Sequence, residues 1–150
     1  MRSIIVADEW VYHYLMHAEG ADLGVKTFRF LKQLKILDDR LVVVRGSKFT
    51  DKMYRLAKED QAPFVLYSKE LSGLYNSSFC TILEQEDLVP FPTEMVGVKN
   101  DDVYLVRAQL TIPGSFILTT DGALKDTLAP HPRVLVELVS SFLDPYLAKT

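Results

Sequence analysis

The sequence offers little to support a disulfide framework, a zinc site or a membrane span. Its 150 residues include one cysteine, Cys80, which excludes an intramolecular disulfide and a CxxC metal pair. No stretch approaches the ~18 consecutive apolar residues of a transmembrane helix. The first apolar run is cut off by Asp8 and is too short for a signal peptide. We therefore expect a cytoplasmic protein without membrane association, folded as one domain over residues 1–150.

Several common catalytic and nucleotide-binding motifs are absent as well. The chain has no GxGxxG or GxxxxGK[ST] loop and no GxSxG nucleophile turn. A phosphatase of the haloacid dehalogenase type would need a second aspartate two residues after Asp8, where Trp10 stands. The sequence thus argues against nucleotide-binding proteins with these loops, hydrolases with a GxSxG nucleophile and phosphatases of the haloacid dehalogenase type.

Positive charge is scarce overall but concentrated in one segment. The formal net charge is −3, from 17 Lys and Arg against 20 Asp and Glu. Between Lys26 and Lys58, however, ten basic residues face three acidic ones. Such asymmetry is typical of a surface that meets an anionic partner, so the overall acidity does not exclude nucleic acid.

Short apolar runs alternate with helical periodicity along the chain. Strands are predicted at 3–7, 40–44, 115–119 and 134–136, while 79–83 fits either a helix or a strand. Two prolines limit 88–92 to a short or edge strand. The alternation predicts an α/β fold with three α/β/α layers and a mostly parallel central sheet.

Four aspartates fall at or near predicted strand ends or helix starts: Asp8, Asp51, Asp101 and Asp121. In open α/β sheets, sites form outside the carboxyl ends of the strands. Converging carboxylates without His or Cys suit the hard cations Mg²⁺ and Mn²⁺. Taken alone, an aspartate at a helix start is usually a cap that stabilises the helix by about 1 kcal/mol; it is the four together that suggest a shared site.

At these residues the sequence resembles the PIN-domain ribonucleases over nearly its whole length. The resemblance rests on an apolar strand ending at Asp8, on Asp101 with Ala108 seven positions later, and on a strand ending in Thr119-x-Asp121. The closing short strand and amphipathic helix are also similar. It implies a nuclease whose catalytic acids Asp8, Asp101 and Asp121 bind Mg²⁺ or Mn²⁺.

Two positions of the resemblance stay open. Asp102 competes with Asp101 as a metal ligand, because the register can slip by one; the packing face of the following helix favours Asp101. The family usually carries a glutamate on the helix after the second strand. Here Asp51 stands in that region and is the fourth expected catalytic acid, one methylene shorter. Thr119 is expected to orient a carboxylate or a water.

The resemblance implies an endoribonuclease that cleaves single-stranded RNA by metal-activated water. Its implied partners are RNA, an antitoxin or other protein, and a second copy in a homodimer. Nearby cations are expected to bind RNA phosphates: Arg45, Lys48, Lys52 and Arg55. The alternatives are a non-catalytic PIN-like module that binds RNA or protein, and an unrelated α/β domain whose acids are only caps.

Histidine and aromatic residues near Asp8 receive structural interpretations. His13 and His17 have i,i+4 spacing but no HExxH context. Trp10 and Tyr14 follow helical spacing and are expected in the core.

Overall fold

Five strands and seven helices alternate in the computed structural model, which describes residues 2–150. In chain order they are β1 (Ile4–Ala7), α1 (Trp10–Leu15), α2 (Ala21–Ile36), β2 (Arg40–Val44), α3 (Lys48–Leu56), α4 (Phe64–Tyr75), β3 (Cys80–Leu83), α5 (Val103–Thr111), β4 (Phe116–Thr119), α6 (Gly122–Leu128), β5 (Val136–Leu138) and α7 (Val139–Leu147). Short 3₁₀ turns cover Gln85–Asp87 and Asn100–Asp102.

The strands form one sheet in the order β3-β2-β1-β4-β5, and every adjacent pair is parallel. Val6 pairs with Val42 of β2 on one side and with Ile117 of β4 on the other. The predicted parallel sheet is therefore confirmed.

Side chains of the strands alternate between two apolar cores, one on each face of the sheet. Ile5 and Ala7 join the core formed with α1, α2, α3, α4 and α7. Val6 and Ile117 join the core formed with α5 and α6. Because both faces are covered, the strands are nearly continuous apolar runs, and the three-layer prediction is confirmed.

The structure resolves one ambiguous segment and corrects two other strand predictions. The ambiguous 79–83 segment is strand β3. The last strand begins at Val136 rather than at position 134. Residues 88–92 form no strand in the described chain; Pro90 and Pro92 lack ladder donors, and the Arg107 guanidinium donates to the carbonyls of Leu88 and Val89.

Between residues 2 and 150, none of the helices combines the length and the apolar character that crossing a membrane requires.

Candidate functional site

The strand order reverses between β1 and β4, the two central neighbours from which the sheet extends in opposite directions. Ligand sites of open parallel sheets form at the carboxyl ends of the strands beside such a reversal. Asp8 directly follows β1, and Asp121 lies two residues after β4. The topology therefore brings two of the predicted acids to one edge of the sheet.

Asp8 is a buried carboxylate held by two donors. Its side chain lies in a residue only 7% exposed. The backbone N–H of Glu9 donates to Oδ1 at 2.7 Å, and the Thr119 hydroxyl donates to Oδ2 at 2.7 Å. Burial raises the pKa of Asp8, against the opposing effect of the two hydrogen bonds, and the charge of Asp102 raises it further. Each oxygen keeps a lone pair for another ligand.

Thr119 connects the two strand ends. Besides donating to Asp8, its hydroxyl accepts a hydrogen bond from the backbone N–H of Asp121 at 3.1 Å. Asp121 in turn caps α6, because its Oδ1 accepts from the Leu124 N–H at 3.0 Å. The contact expected of Thr119 with a carboxylate is present; its role in catalysis stays a prediction.

Asp101 and Asp102 both precede α5, in the 3₁₀ turn that leads into the helix. Asp102 is 9% exposed, and its Oδ1 lies 3.4 Å from the Lys48 ammonium. Asp101 is exposed. The helix α5 begins at Val103, and of the two aspartates before it, Asp102 is the one that is buried and paired with a lysine. Asp101 and Asp102 both line the same cleft, and which of them binds a metal stays a prediction.

These acids line one cleft of about 330 Å³ at the β1/β4 edge. Its walls carry five carboxylates and two lysines, so the cleft is negatively charged overall. The lining residues are Asp8, Glu9, Trp10, His13, Lys48, Lys99, Asp101, Asp102, Thr120 and Asp121. The structure thus brings Asp8, Asp101, Asp102 and Asp121 together.

Asp51 is not among the residues of this cleft. It lies exposed in the first turn of α3, and the α3 residue that lines the cleft is Lys48. The reason is reach: Asp51 lies about 4.5 Å further along the helix axis than Lys48 and has a short side chain. The structure thus places Asp51 outside the cleft lining, and its role as a fourth catalytic acid stays a prediction.

The four predicted phosphate-binding cations occupy different surroundings. Lys48 lies in the cleft. Arg45 pairs with Glu84, with Nε 2.8 Å from Oε1, and the Lys52 ammonium lies 5.4 Å from the centre of the Tyr12 ring. Arg55 is exposed on α3. Of the four, Lys48 alone is in the lining of the cleft, and the contact of all four with RNA stays a prediction.

The similarity of this chain to a known protein is found in its fold and not in its sequence. No protein-family model and no curated protein matches the sequence. A solved structure does match, the crystal structure of VapBC2 from Rickettsia felis bound to a DNA fragment from their promoter. The TM-score is 0.50 with 11% identity, over 90% of this chain and 98% of that chain. The similarity shows a shared fold.

The carboxylates that line the cleft are of the right chemical type for a divalent cation, but their arrangement does not form a ready metal site. Carboxylate oxygens are the ligands that Mg²⁺ and Mn²⁺ prefer, and a cation would relieve the repulsion between Asp8 and Asp102. Within residues 2–150, no three His, Cys, Asp or Glu side chains converge as a metal-binding group. Since Mg²⁺ commonly keeps several waters and uses one or two carboxylates, these donor types suit a hydrated ion better than an enclosed four-acid site, and metal binding at Asp8 and Asp102 stays a prediction.

Sequence reasoning missed Glu9, Lys99 and Thr120 as cleft residues. Glu9 and Thr120 could have been found from the sequence, because Glu9 directly follows Asp8 and Thr120 lies between Thr119 and Asp121. His13, interpreted as structural, also lines the cleft, with Nε2 3.9 Å from Glu9 Oε2. Lys99 precedes the aspartate pair by two positions, and its inclusion depends on the loop that places it.

Proposed function

We propose that this chain is a metal-dependent endoribonuclease of the PIN type, hydrolysing phosphodiester bonds of single-stranded RNA at the β1/β4 cleft. One observation carries the proposal: acids from three separate elements line a single cleft. Asp8 follows β1, Asp102 precedes α5 and Asp121 precedes α6. Aspartates that served only to cap their own helices would have no reason to meet.

The electrostatic cost of the arrangement also supports a functional site. Asp8 is buried, its pKa is raised by that burial, and Asp102 adds a like charge. Perturbed carboxylates in a cleft at a strand-order reversal are typical of active sites. Stability alone would favour an uncharged side chain at this position.

Each side chain has a role that follows from its contacts. Asp8 and Asp102 would hold Mg²⁺ or Mn²⁺, with Asp101 and Asp121 contributing at the rim. When bound, the metal supplies activation of water and neutralisation of charge developing on the scissile phosphate. Thr119 fixes the Asp8 carboxylate through the 2.7 Å hydrogen bond.

The cations of the chain supply the complement to an anionic substrate. Lys99 lines the cleft beside the acids, where its ammonium would attract a phosphate. Arg45, Lys52 and Arg55 would hold flanking phosphates further from the scissile bond.

The proposed function also includes protein partners for this chain. The solved structure with the shared fold is of VapBC2 bound to promoter DNA. For this chain we extend the proposal to a protein partner of antitoxin type, to homodimer formation and to a cytoplasmic location.

The proposal is tested by incubating a generic single-stranded RNA with the protein in Mn²⁺, in Mg²⁺ and in EDTA. We expect cleavage that requires a divalent ion and falls by roughly a hundredfold or more in Asp8→Asn plus Asp121→Asn. Asp126→Asn, which removes one exposed carboxylate on α6, is the matched control and should cleave normally. Absence of cleavage by the wild type across metals and salt concentrations contradicts the proposal.

A non-catalytic PIN-like binding module is the second candidate. It is favoured by Lys48, which lies 3.4 Å from both Glu9 and Asp102, and by the lack of a three-ligand group within residues 2–150. RNA binding that persists in EDTA, measured by fluorescence anisotropy without product formation, would support this candidate over the nuclease.

A further inference from the structure

Lys48 places an ammonium group among the acids of the cleft. Its Nζ lies 3.4 Å from Glu9 Oε1 and 3.4 Å from Asp102 Oδ1. Both distances exceed the 2.7–2.9 Å typical of short charge-assisted hydrogen bonds. The ammonium is therefore shared between two carboxylates and bound tightly by neither.

The position of Lys48 follows from the start of α3. It is the first residue of the helix, four residues after β2 ends at Val44, with a turn that begins at Arg45 between the two. A long side chain at that point reaches the acids beside the neighbouring strand β1. Partial burial lowers the pKa of Lys48, but the charges of Glu9, Asp102 and Asp8 outweigh that effect and the pKa is raised.

Asp102 is thus a residue with two potential cationic partners. It contacts Lys48 in the structure, and it is one of the two carboxylates that fit a hydrated divalent ion. A divalent ion beside Asp102 and the Lys48 ammonium repel each other, because both are positive and both seek the same oxygen. The two cannot both occupy their best positions.

We propose that Lys48 is the resident counter-ion of the cleft and competes with the divalent cation for Asp102. Metal binding is then coupled to release of the Lys48 side chain from Asp102, and removal of Lys48 strengthens metal binding. This inference rests on the metal-binding part of the proposed function, and on nothing about RNA cleavage.

An ordinary partly exposed ion pair makes a different prediction. Pairs of this kind contribute ~0–1 kcal/mol to stability and leave other ligands unaffected. Under that interpretation, replacing Lys48 changes metal affinity no more than replacing any other lysine. The two interpretations therefore separate on metal affinity.

The experiment measures Mn²⁺ binding to the full chain without RNA, by calorimetry and by the electron paramagnetic resonance signal of free Mn²⁺. Lys48→Met is expected to bind Mn²⁺ roughly tenfold more tightly than wild type, within the 5–150-fold range typical of coupled sites. The gain should shrink as ionic strength rises, because the cleft is open to solvent.

Two variants control the measurement. Lys58→Met removes the same charge from an exposed residue just beyond the far end of α3 and should leave Mn²⁺ affinity unchanged. Lys48→Arg keeps the charge and should bind Mn²⁺ close to the wild-type affinity. Circular dichroism establishes that each variant is folded, and Lys48→Gln replaces Lys48→Met should the latter misfold.

A second readout is thermal unfolding. In EDTA, Lys48→Met should have a lower Tm than wild type because Asp102 and Glu9 lose their counter-ion. Added Mn²⁺ should raise the Tm of Lys48→Met more than that of wild type.

The outcomes separate the two proposals. Equal or weaker Mn²⁺ binding by Lys48→Met, with binding by wild type, overturns the competition and leaves the nuclease proposal standing. Tighter binding by Lys48→Met without any RNA cleavage supports the competition and overturns the nuclease. No Mn²⁺ binding by either protein overturns both.

Discussion

Replacing Thr119 by valine removes a buried hydroxyl that makes two contacts between the carboxyl ends of β1 and β4. It donates to Asp8 Oδ2 at 2.7 Å and accepts from the Asp121 N–H at 3.1 Å. Thr119 is 0% exposed, so water has no direct route to replace it. Valine keeps nearly the same shape, and the substitution therefore isolates the hydrogen bonds from the packing.

The expected loss of stability follows from these contacts. A hydrogen bond to a charged group contributes about 1.5–3 kcal/mol, and the bond from the Asp121 N–H about 1 kcal/mol. Burying an extra methyl in place of the hydroxyl offsets about 0.8 kcal/mol. We expect a net loss of about 2–3 kcal/mol, or roughly 5–10 °C in Tm for a chain of this size.

Urea unfolding at neutral pH measures the loss, with Thr119→Ser as the matched control. Serine keeps the hydroxyl and removes the methyl group, which should cost only about 1 kcal/mol. Repeating the comparison at lower pH tests the charge of Asp8. The hydroxyl lowers the pKa of Asp8, so the penalty of Thr119→Val should be largest at neutral pH and shrink as Asp8 becomes protonated.

Three results would refute this reasoning. Thr119→Val could match wild type, Thr119→Ser could be the less stable of the two variants, or the penalty could grow on acidification. The first two would mean that the hydroxyl contacts contribute little. The third would mean that Thr119 does not stabilise the charged form of Asp8.

Three other substitutions or reactions test separate parts of the structure. Asp8→Asn should raise Tm at pH 7 by roughly 3 °C, or ~1 kcal/mol, because burial raises the folded-state pKa of Asp8. The favourable contribution of the protonated Asp8 carboxyl exists below the unfolded-state pKa and is lost as the pH rises, so the gain from asparagine should vanish near pH 3. A fall in Tm at pH 7 would contradict this prediction. Tyr146→Phe removes the hydroxyl that donates to Oδ2 of Asp39, itself 3% exposed, and should cost about 1–3 kcal/mol in urea unfolding; an unchanged midpoint would show that this bond is weak. Burial raises the pKa of the Cys80 thiol to about 12, so iodoacetamide at pH 8 should react at least tenfold more slowly than with the urea-unfolded chain, and equal rates would place the thiol in solvent.

The fold could be predicted because its pattern is local and repeated. The run at 41–44 and the run that ends just before Asp8 are unbroken apolar segments, which predict strands buried on both faces. The composition of the 79–83 segment is compatible with a helix or a strand, and its pairing with β2 makes it a strand. The 88–92 segment is apolar too, but its prolines and the Arg107 contacts exclude it from the sheet.

The site could be predicted where a residue is fixed by the end of a strand. Asp8 and Asp121 follow β1 and β4, so the topology alone brings them together. The choice between Asp101 and Asp102 depends on where a helix begins, and a 3₁₀ turn before Val103 shifts that point. A difference of one residue rotates a side chain by about 100° around a helix axis, and sequence periodicity does not fix a boundary that finely.

The difference between Lys48 and Asp51 shows what sequence spacing leaves out. The two residues are three positions apart and lie on similar sides of α3, so spacing alone favours the acid, which suits a metal. The start of the helix decides otherwise, because Lys48 stands nearest the cleft and carries the longer side chain. The resulting cleft holds a positive charge where the resemblance implies a negative one. Under the proposed competition, a nuclease would displace that charge to load its metal, whereas a binding module would retain it. Metal affinity with and without Lys48 therefore tests the feature in which this chain departs from the family that it resembles.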